Sequence, residues 1–491
     1  MADTLIEGAT ILTMDPERRI LEDGWIAVSA DRIEAIGTAG EDAPHAERVI
    51  EGRRAVVTPG LISTHQHVID VLLRGGLEQD RTLFDWLVNV YFAGTSAYTP
   101  EDCGLAVRLN MAEAVSAGVT TVTDNWGVNN GDSQARVDEC AAATLEAYEE
   151  VGVRVLFARM FSDVFPPEWE RLVGALSRKL PGKTLRMETL LEPADRALSA
   201  IEELMGAWRA KANGRIRVCP APIMAQIVSE EALAAAHDLA KKHDTVLPIH
   251  HCESPVNARV FPESGVGMSG TEYLHVLGLL DERTLGAHCV WLSDRDIRLL
   301  GAFGANVAHC PSCNMFAASG ISPIPRLLES GVTVGLGTDD ANANSNVSIL
   351  LEMRHAALLA KVGALDGSAL TAEKVLEMGT IDGARAIGLE HEIGSLEPGK
   401  KADLVLWDTD KPHWHPRHQL PSVLVYQAHT SDVKSVMIDG RLVLDDGELD
   451  FAPGDELRAL SERAQHASEA IIERAGMQRL LERGWQSRGL I

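Results

Sequence analysis

The chain has 491 residues and a formal charge of −26. That balance excludes a nucleic-acid backbone or an anionic membrane surface as the main partner and suits a small neutral or cationic ligand. The seven cysteines are odd in number and ordinary for this length, so no disulfide framework is expected.

Met1-Ala2-Asp3-Thr4-Leu5-Ile6-Glu7 carries acids where a signal peptide needs bases, and no apolar run reaches the roughly 18 residues of a membrane span. A soluble cytoplasmic protein is expected. The segment to Glu51 alternates as strands do, in Thr10–Met14 and Trp25–Val28, with turn residues between.

From residue 55 the pattern changes. Apolar runs recur, and each ends in polar chemistry. The run 55–62 leads to His65-Gln66-His67, Val119–Thr123 to Asp124-Asn125-Trp126, and Arg154–Ala158 to Arg159. Arg215–Cys219 follows, then Thr245–Ile249 before His250-His251-Cys252-Glu253. Thr284–Ala287 precedes His288-Cys289, Ala305–Ala308 precedes His309-Cys310, and Val332–Thr338 precedes Asp339-Asp340. Between them, segments 101–117, 135–151, 197–212, 229–243, 292–303 and 346–361 place apolar residues at helical spacing.

Eight strand–helix units over about 300 residues fit one (β/α)8, TIM-like barrel. A doubly wound open sheet is the competitor, but it needs only one crevice served by a few strand ends. Strand patterns return at Asp403–Trp407 and Val433–Gly440. The expected organisation is a barrel over 58–393, a small composite β-sandwich from 1–57 and 394–452, and a helical tail over 453–491. The tail, helical to about 482, can pack on the barrel or on another subunit, and a homo-oligomer is expected.

Side chains at i and i+2 of a strand point the same way, so His65 and His67 can share one divalent metal. His251, beside His250, should face away as a structural histidine. Cys310-Pro311-Ser312-Cys313 lacks the second pair of a zinc ribbon and the context of a redox site, and reads as a pocket-lining turn. The 413–418 histidine cluster lies in the returning β segment, outside the site.

The motifs Thr58–His67, His250-x-x-Glu253, His288-Cys289-Val290, His309-Cys310-Pro311-Ser312, Gly337-Thr338-Asp339 and Gly394–Leu404 stand in the order found in the amidohydrolase superfamily. The chain resembles the branch holding S-adenosylhomocysteine/methylthioadenosine deaminases, 8-oxoguanine and cytosine deaminases, and triazine hydrolases, up to about residue 445. The resemblance implies one divalent metal, Zn²⁺ with Fe²⁺ as the alternative, bound by His65, His67, His250 and Asp339. Asp339 would also take a proton from the attacking water, Glu253 would protonate the leaving or ring nitrogen, and His288 would stabilise the tetrahedral intermediate. No lysine ends the fourth run, so a bridging carbamylated lysine is not available there and one metal is expected.

Departures from the branch bear on substrate. Thr95 and Ile223 fall where adenosine-type deaminases carry an acid and a histidine for the nucleoside, which makes a nucleoside improbable. Trp291 replaces a usual histidine, Asp340 a usual glycine, and the exit Asp124–Gly131 is unlike the better known members. An apolar, aromatic pocket is expected, drawn from Trp86, Tyr91, Phe92, Trp126, Ile223, Met224, Trp291, Met315 and Phe316. His309 is a further substrate-contact candidate, and Arg159 would meet a carboxylate or carbonyl. Asp340 would contact substrate or cap the next helix, and Asp124 would support the site or cap its strand.

The expected function is hydrolysis of carbon–nitrogen bonds other than peptide bonds, above all deamination of a small N-heterocycle by hydroxide that the metal supplies. Alternatives are an amide, urea, thiocarbamate or aryl-chloride hydrolase on the same scaffold. An inactive barrel scaffold protein would show eroded ligand positions, which are intact here.

Overall fold

The computed structural model describes residues 1–77, 81–129, 133–176, 189–255, 258 and 267–482. Eight parallel strands succeed one another around a barrel: Leu61–His67, Val119–Trp126, Arg154–Phe161, Ile216–Pro222, Leu247–His251, Thr284–His288, Asn306–His309 and Thr333–Leu336. Nearly every residue in them is buried, the consequence of side chains on one face filling the barrel while the other meets the helices.

Two seams close the ring. The His250 amide donates to the Ile223 carbonyl at 3.0 Å, joining the fourth strand to the fifth. The eighth strand runs on into Asp339–Asp340, which pairs with Gln66 and His67 of the first. Gly337 permits that approach: a Cβ there would lie 2.7 Å from the His65 carbonyl oxygen.

The helices follow their caps. Thr99 and Asp102 form a reciprocal capping box at the start of Pro100–Ser116, as Ser293 and Asp296 do before Asp294–Ala302. Gln134–Val151 ends at Gly152, whose φ of 85° lies in the left-handed region. Ile349–Ala364 starts later than the apolar spacing suggests, because Ser348 caps it.

Strands from both chain ends form one nine-stranded sheet. Its join is the antiparallel pairing of Ala55–Pro59 with Leu404–Asp408, so Thr58 and Pro59 sit with the small sheet. Ile6, Ile11, Ile26, Val57, Leu404, Leu406 and Met437 give this layer its own apolar core. At its border with the barrel, Arg154 makes two bonds to Asp403, at 2.7 and 3.0 Å, and reaches Asp439 at 3.3 Å.

The tail helix Asp455–Ala475 buries Leu460, Ala464, Ile471 and Ile472. Arg474 at its end bonds the Ala97 carbonyl at 2.9 Å and the carboxylate of Asp102, so the helix rests on its own barrel. Residues 483–491 of the expected tail, and Asn130 and Gly131 of the second strand's exit, lie outside the described residues. No helix among the described residues is long and apolar enough to cross a membrane.

Candidate metal centre and pocket

The C-terminal ends of the first, fifth, sixth and eighth strands converge on one point. His65 Nε2 lies 3.1 Å and His67 Nε2 3.5 Å from Asp339 Oδ1, while His67 Nε2 and His250 Nε2 are 3.3 Å apart. The ligand atoms of His65, His67 and His250 all fall within 4.8 Å of one another.

Two of these rings have fixed tautomers. His67 Nδ1 lies 2.6 Å from the Asn125 carbonyl oxygen and His250 Nδ1 2.8 Å from that of Ile223. A carbonyl only accepts, so each Nδ1 carries the hydrogen and each Nε2 presents a lone pair. Burial pushes His67 down to about 3 and His250 well below its ordinary value, keeping both rings neutral as metal ligands need. His65 Nε2 and Asp339 Oδ1 are buried without a hydrogen-bond partner. The facing Nε2 lone pairs of His67 and His250, beside His65 and a buried carboxylate, fit a divalent cation with nitrogen and oxygen ligands.

Asp339 and His288 hold left-handed backbone at φ of 59° and 71°. For non-glycine residues this costs on the order of 1–3 kcal/mol and persists where the surroundings impose it. His288 Nδ1 donates to Asn314 Oδ1 at 3.0 Å. Its Nε2 is therefore left facing Asp339 Oδ2 at 3.8 Å and Glu253 Oε2 at 3.9 Å. Burial opposes a charge on His288, but Glu253, Asp339 and Asn314 outweigh it and raise its affinity for a proton. Burial raises Glu253 as well, so its carboxyl keeps a proton that an exposed glutamate would lose.

A pocket of about 830 Å³, counted with its open mouth, lies over these groups. Trp86, Tyr91, Phe92, Ile223, Met224 and Phe316 line it, joined by Phe84, Leu87, Met160 and Trp169. Cys313 of the C-x-x-C turn is part of the wall, and all seven cysteines are free and buried.

Of the residues expected around the substrate, Arg159, Trp126, Trp291, His309 and Met315 do not line the pocket. Arg159 is 1% exposed and clamps Glu192 through two bonds of 2.9 and 3.0 Å, so its guanidinium is spent on a protein carboxylate. Trp126 is buried and packs on Phe157 with centroids 5.3 Å apart, away from the pocket lining. Trp291 is 43% exposed and donates to the Ser319 carbonyl at 2.7 Å. His309 is buried behind the wall and held at about 3 by burial and by His288. Met315 also points outward, at 42% exposed.

His251 bonds Thr271 Oγ1 at 2.8 Å, away from the metal ligands. Thr95, at the spacing of the nucleoside-binding acid, bonds the Tyr91 carbonyl and does not line the pocket. Asp124 accepts from the Val68 amide and the Tyr148 hydroxyl, tying the second strand to the turn after His67. Asp340 makes no side-chain cap to the following helix and lines the pocket instead.

His413, His429 and Asp432 form a separate group, but Lys411 lies 3.1 Å from Asp432 Oδ1 and His413 takes Oδ2 at 2.6 Å, which opposes a second cation there. Sequence reasoning missed Asn314 and Asp70. The signal for Asp70 was an acid inside the apolar run Val68–Leu73.

A parallel barrel with imidazoles and carboxylates gathered at its C-terminal face defines a metal-dependent hydrolase. The amidohydrolase family pattern matches residues 56–443, and the chain belongs to that family. It is similar to S-triazine hydrolase of Gordonia rubripertincta, 33% identical over 496 residues and all of both chains. It is also similar to 5'-deoxyadenosine deaminase of Methanosarcina barkeri, 34% identical over 474 residues, 96% of this chain and 99% of that protein. Among solved structures, an adenosine deaminase from Xanthomonas campestris with bound zinc superposes with a TM-score of 0.83 at 28% identity, covering 96% of this chain and 99% of that one. Atrazine chlorohydrolase of Arthrobacter aurescens, as a variant complexed with zinc and atraton, gives 0.84 at 25%, covering 95% and 100%. The chain is an enzyme that hydrolyses carbon–nitrogen bonds with a divalent metal.

Proposed function

We propose that this enzyme is an aminohydrolase that removes an amino group from a small nitrogen heterocycle, using one divalent ion held by His65, His67, His250 and Asp339. Zinc is the proposed ion, with Fe²⁺ the alternative, because three imidazoles and a carboxylate form a borderline-hard donor set. The observation that carries the reading is the 3.3 Å approach of two Nε2 lone pairs beside the unpartnered Asp339 Oδ1.

When bound, the cation makes hydroxide available from water near neutral pH. Asp339, with one oxygen among the ligands and the other toward His288, accepts the proton as attack begins. His288 donates from Nε2 to the charge that develops on the attacked ring. Glu253 protonates the departing nitrogen. The aromatic lining holds a flat ring and keeps competing water away.

The carboxyl of Glu253 can serve either a departing nitrogen or a ring nitrogen, so it suits deamination and aryl-chloride hydrolysis alike. Ammonia leaves only after protonation, whereas chloride needs no acid of its own but gains from one on the ring nitrogen. Amides, ureas and thiocarbamates do need one, so experiment must divide them. Zinc-loaded and iron-loaded protein should be screened against aminated purines, pyrimidines, pterins and triazines alongside ureas and carbamates, reading ammonia or amine. Ammonia from heterocycles supports the proposal, and turnover of ureas or carbamates alone contradicts it.

A further inference from the structure

Asp340 lines the pocket yet is only 4% exposed, and its Oδ1 has no hydrogen-bond donor. Its carboxyl meets that of Asp70, which is fully buried and hydrogen-bonded to it. A buried acceptor left unpaired is costly and rare, so the Oδ1 of Asp340 calls for a partner. The helix after Asp340 does not supply one. Arg81 does not either, since it binds the Leu77 carbonyl at 2.6 Å and Asp85 at 3.1 Å.

Asp340 stands close to the reacting centre, because a carboxylate oxygen of it lies within 4.8 Å of ligand atoms of His67 and Asp339. Trp86, Tyr91 and Phe316 add flat aromatic faces to the same pocket wall. A planar ring held there brings its edge, next to the attacked carbon, against Asp340. The edge that satisfies the carboxyl of Asp340 is one of adjacent N–H donors.

We propose that Asp340, positioned by Asp70, selects substrates whose ring edge carries an amidine- or guanidine-like pair of N–H groups. The inference rests on the aminohydrolase reading and narrows it to aminated heterocycles with a second donor nitrogen beside the scissile carbon. A chain of charge −26 also suits the cationic members of that class.

The test is isothermal titration of the zinc-loaded enzyme with benzamidinium and with benzamide, which share shape and differ in the donor edge. Wild type is expected to bind benzamidinium at least about tenfold more tightly, the advantage of a charge-assisted bond over a neutral one. Asp340→Asn should bring the two ligands to within about twofold while keeping one equivalent of zinc. Equal binding by wild type, or a preference kept by Asp340→Asn, overturns the proposal. So does a second equivalent of zinc that Asp340→Asn loses, since a metal would then be the partner. If circular dichroism shows Asp340→Asn unfolded, Asp340→Ser replaces it, and the wild-type ratio still decides. Failure of the ammonia screen is a separate result that strikes the aminohydrolase reading itself.

Discussion

His67 Nε2 and His250 Nε2 face each other at 3.3 Å, and neither has a hydrogen to give, because each ring spends its Nδ1 hydrogen on a backbone carbonyl. Two neutral rings arranged this way repel unless a cation lies between them. His250→Ala should therefore lose bound metal and nearly all activity. The neighbouring His251→Ala should keep its metal stoichiometry and lose only thermal stability, since that ring serves Thr271. Metal content and melting temperature of the two variants check this.

Glu253→Gln should retain metal but lower kcat by about 10²–10⁴, the usual contribution of a positioned acid. The loss should shrink with substrates whose leaving group needs no proton. Steady-state rates on paired substrates, with metal content measured beside them, decide it.

Asn314 acts on the reaction through His288. With Asn314→Leu, His288 Nδ1 loses its 3.0 Å acceptor and Nε2 is no longer the nitrogen fixed toward the site. The expected signature is a kcat reduced by about tenfold or more with KM little changed. A KM effect alone would contradict the assignment.

Arg159 and Glu192 should behave as structure. Removing one partner of a buried pair costs about 3–5 kcal/mol, and replacing both with apolar residues restores much of it. Arg159→Met alone should thus unfold more readily than Arg159→Met/Glu192→Met. The double variant should keep a wild-type KM, which a substrate-binding arginine would not allow.

The Arg154–Asp403–Asp439 cluster sets part of the acid limb of stability. Burial favours the neutral form of Asp439, but Lys401 at 2.9 Å, Asn213 and Arg154 together hold it below the usual carboxylate range. A depressed folded-state pKa contributes stability above the unfolded value, lost as pH falls through the folded one. Wild type should lose stability steeply below about pH 4. Asp439→Asn should be weaker near neutrality and flatter on that limb, as denaturant melts between pH 3 and 7 would show.

Much of this was legible because a parallel barrel buries both faces of its strands. That produced long apolar runs ending in polar residues, so the positions of His65, His67, His250, His288 and Asp339 stood out. The small sheet was readable from alternation at both chain ends. Direction was harder. Trp126 ends its strand, and Arg159 lies two residues before the end of its own, so apolar runs alone did not show where either side chain goes. Trp291 lies beyond its strand and Met315 in the short helix Pro311–Phe316, too brief a segment for apolar spacing to fix its face. Glu192 is far in sequence from Arg159, so the pair that removes that arginine from the pocket left no local trace. Asp70 is a single acid within the apolar segment Val68–Leu73, and its partner Asp340 is remote in sequence, so no local pattern marks the pair.

The central claim is best tested by anomalous diffraction at the zinc edge from crystals of zinc-loaded protein. One peak is predicted, at about 2.0–2.2 Å from nitrogens of His65, His67 and His250 and from an oxygen of Asp339. No peak at that point, or a peak only at His413, His429 and Asp432, would contradict the account.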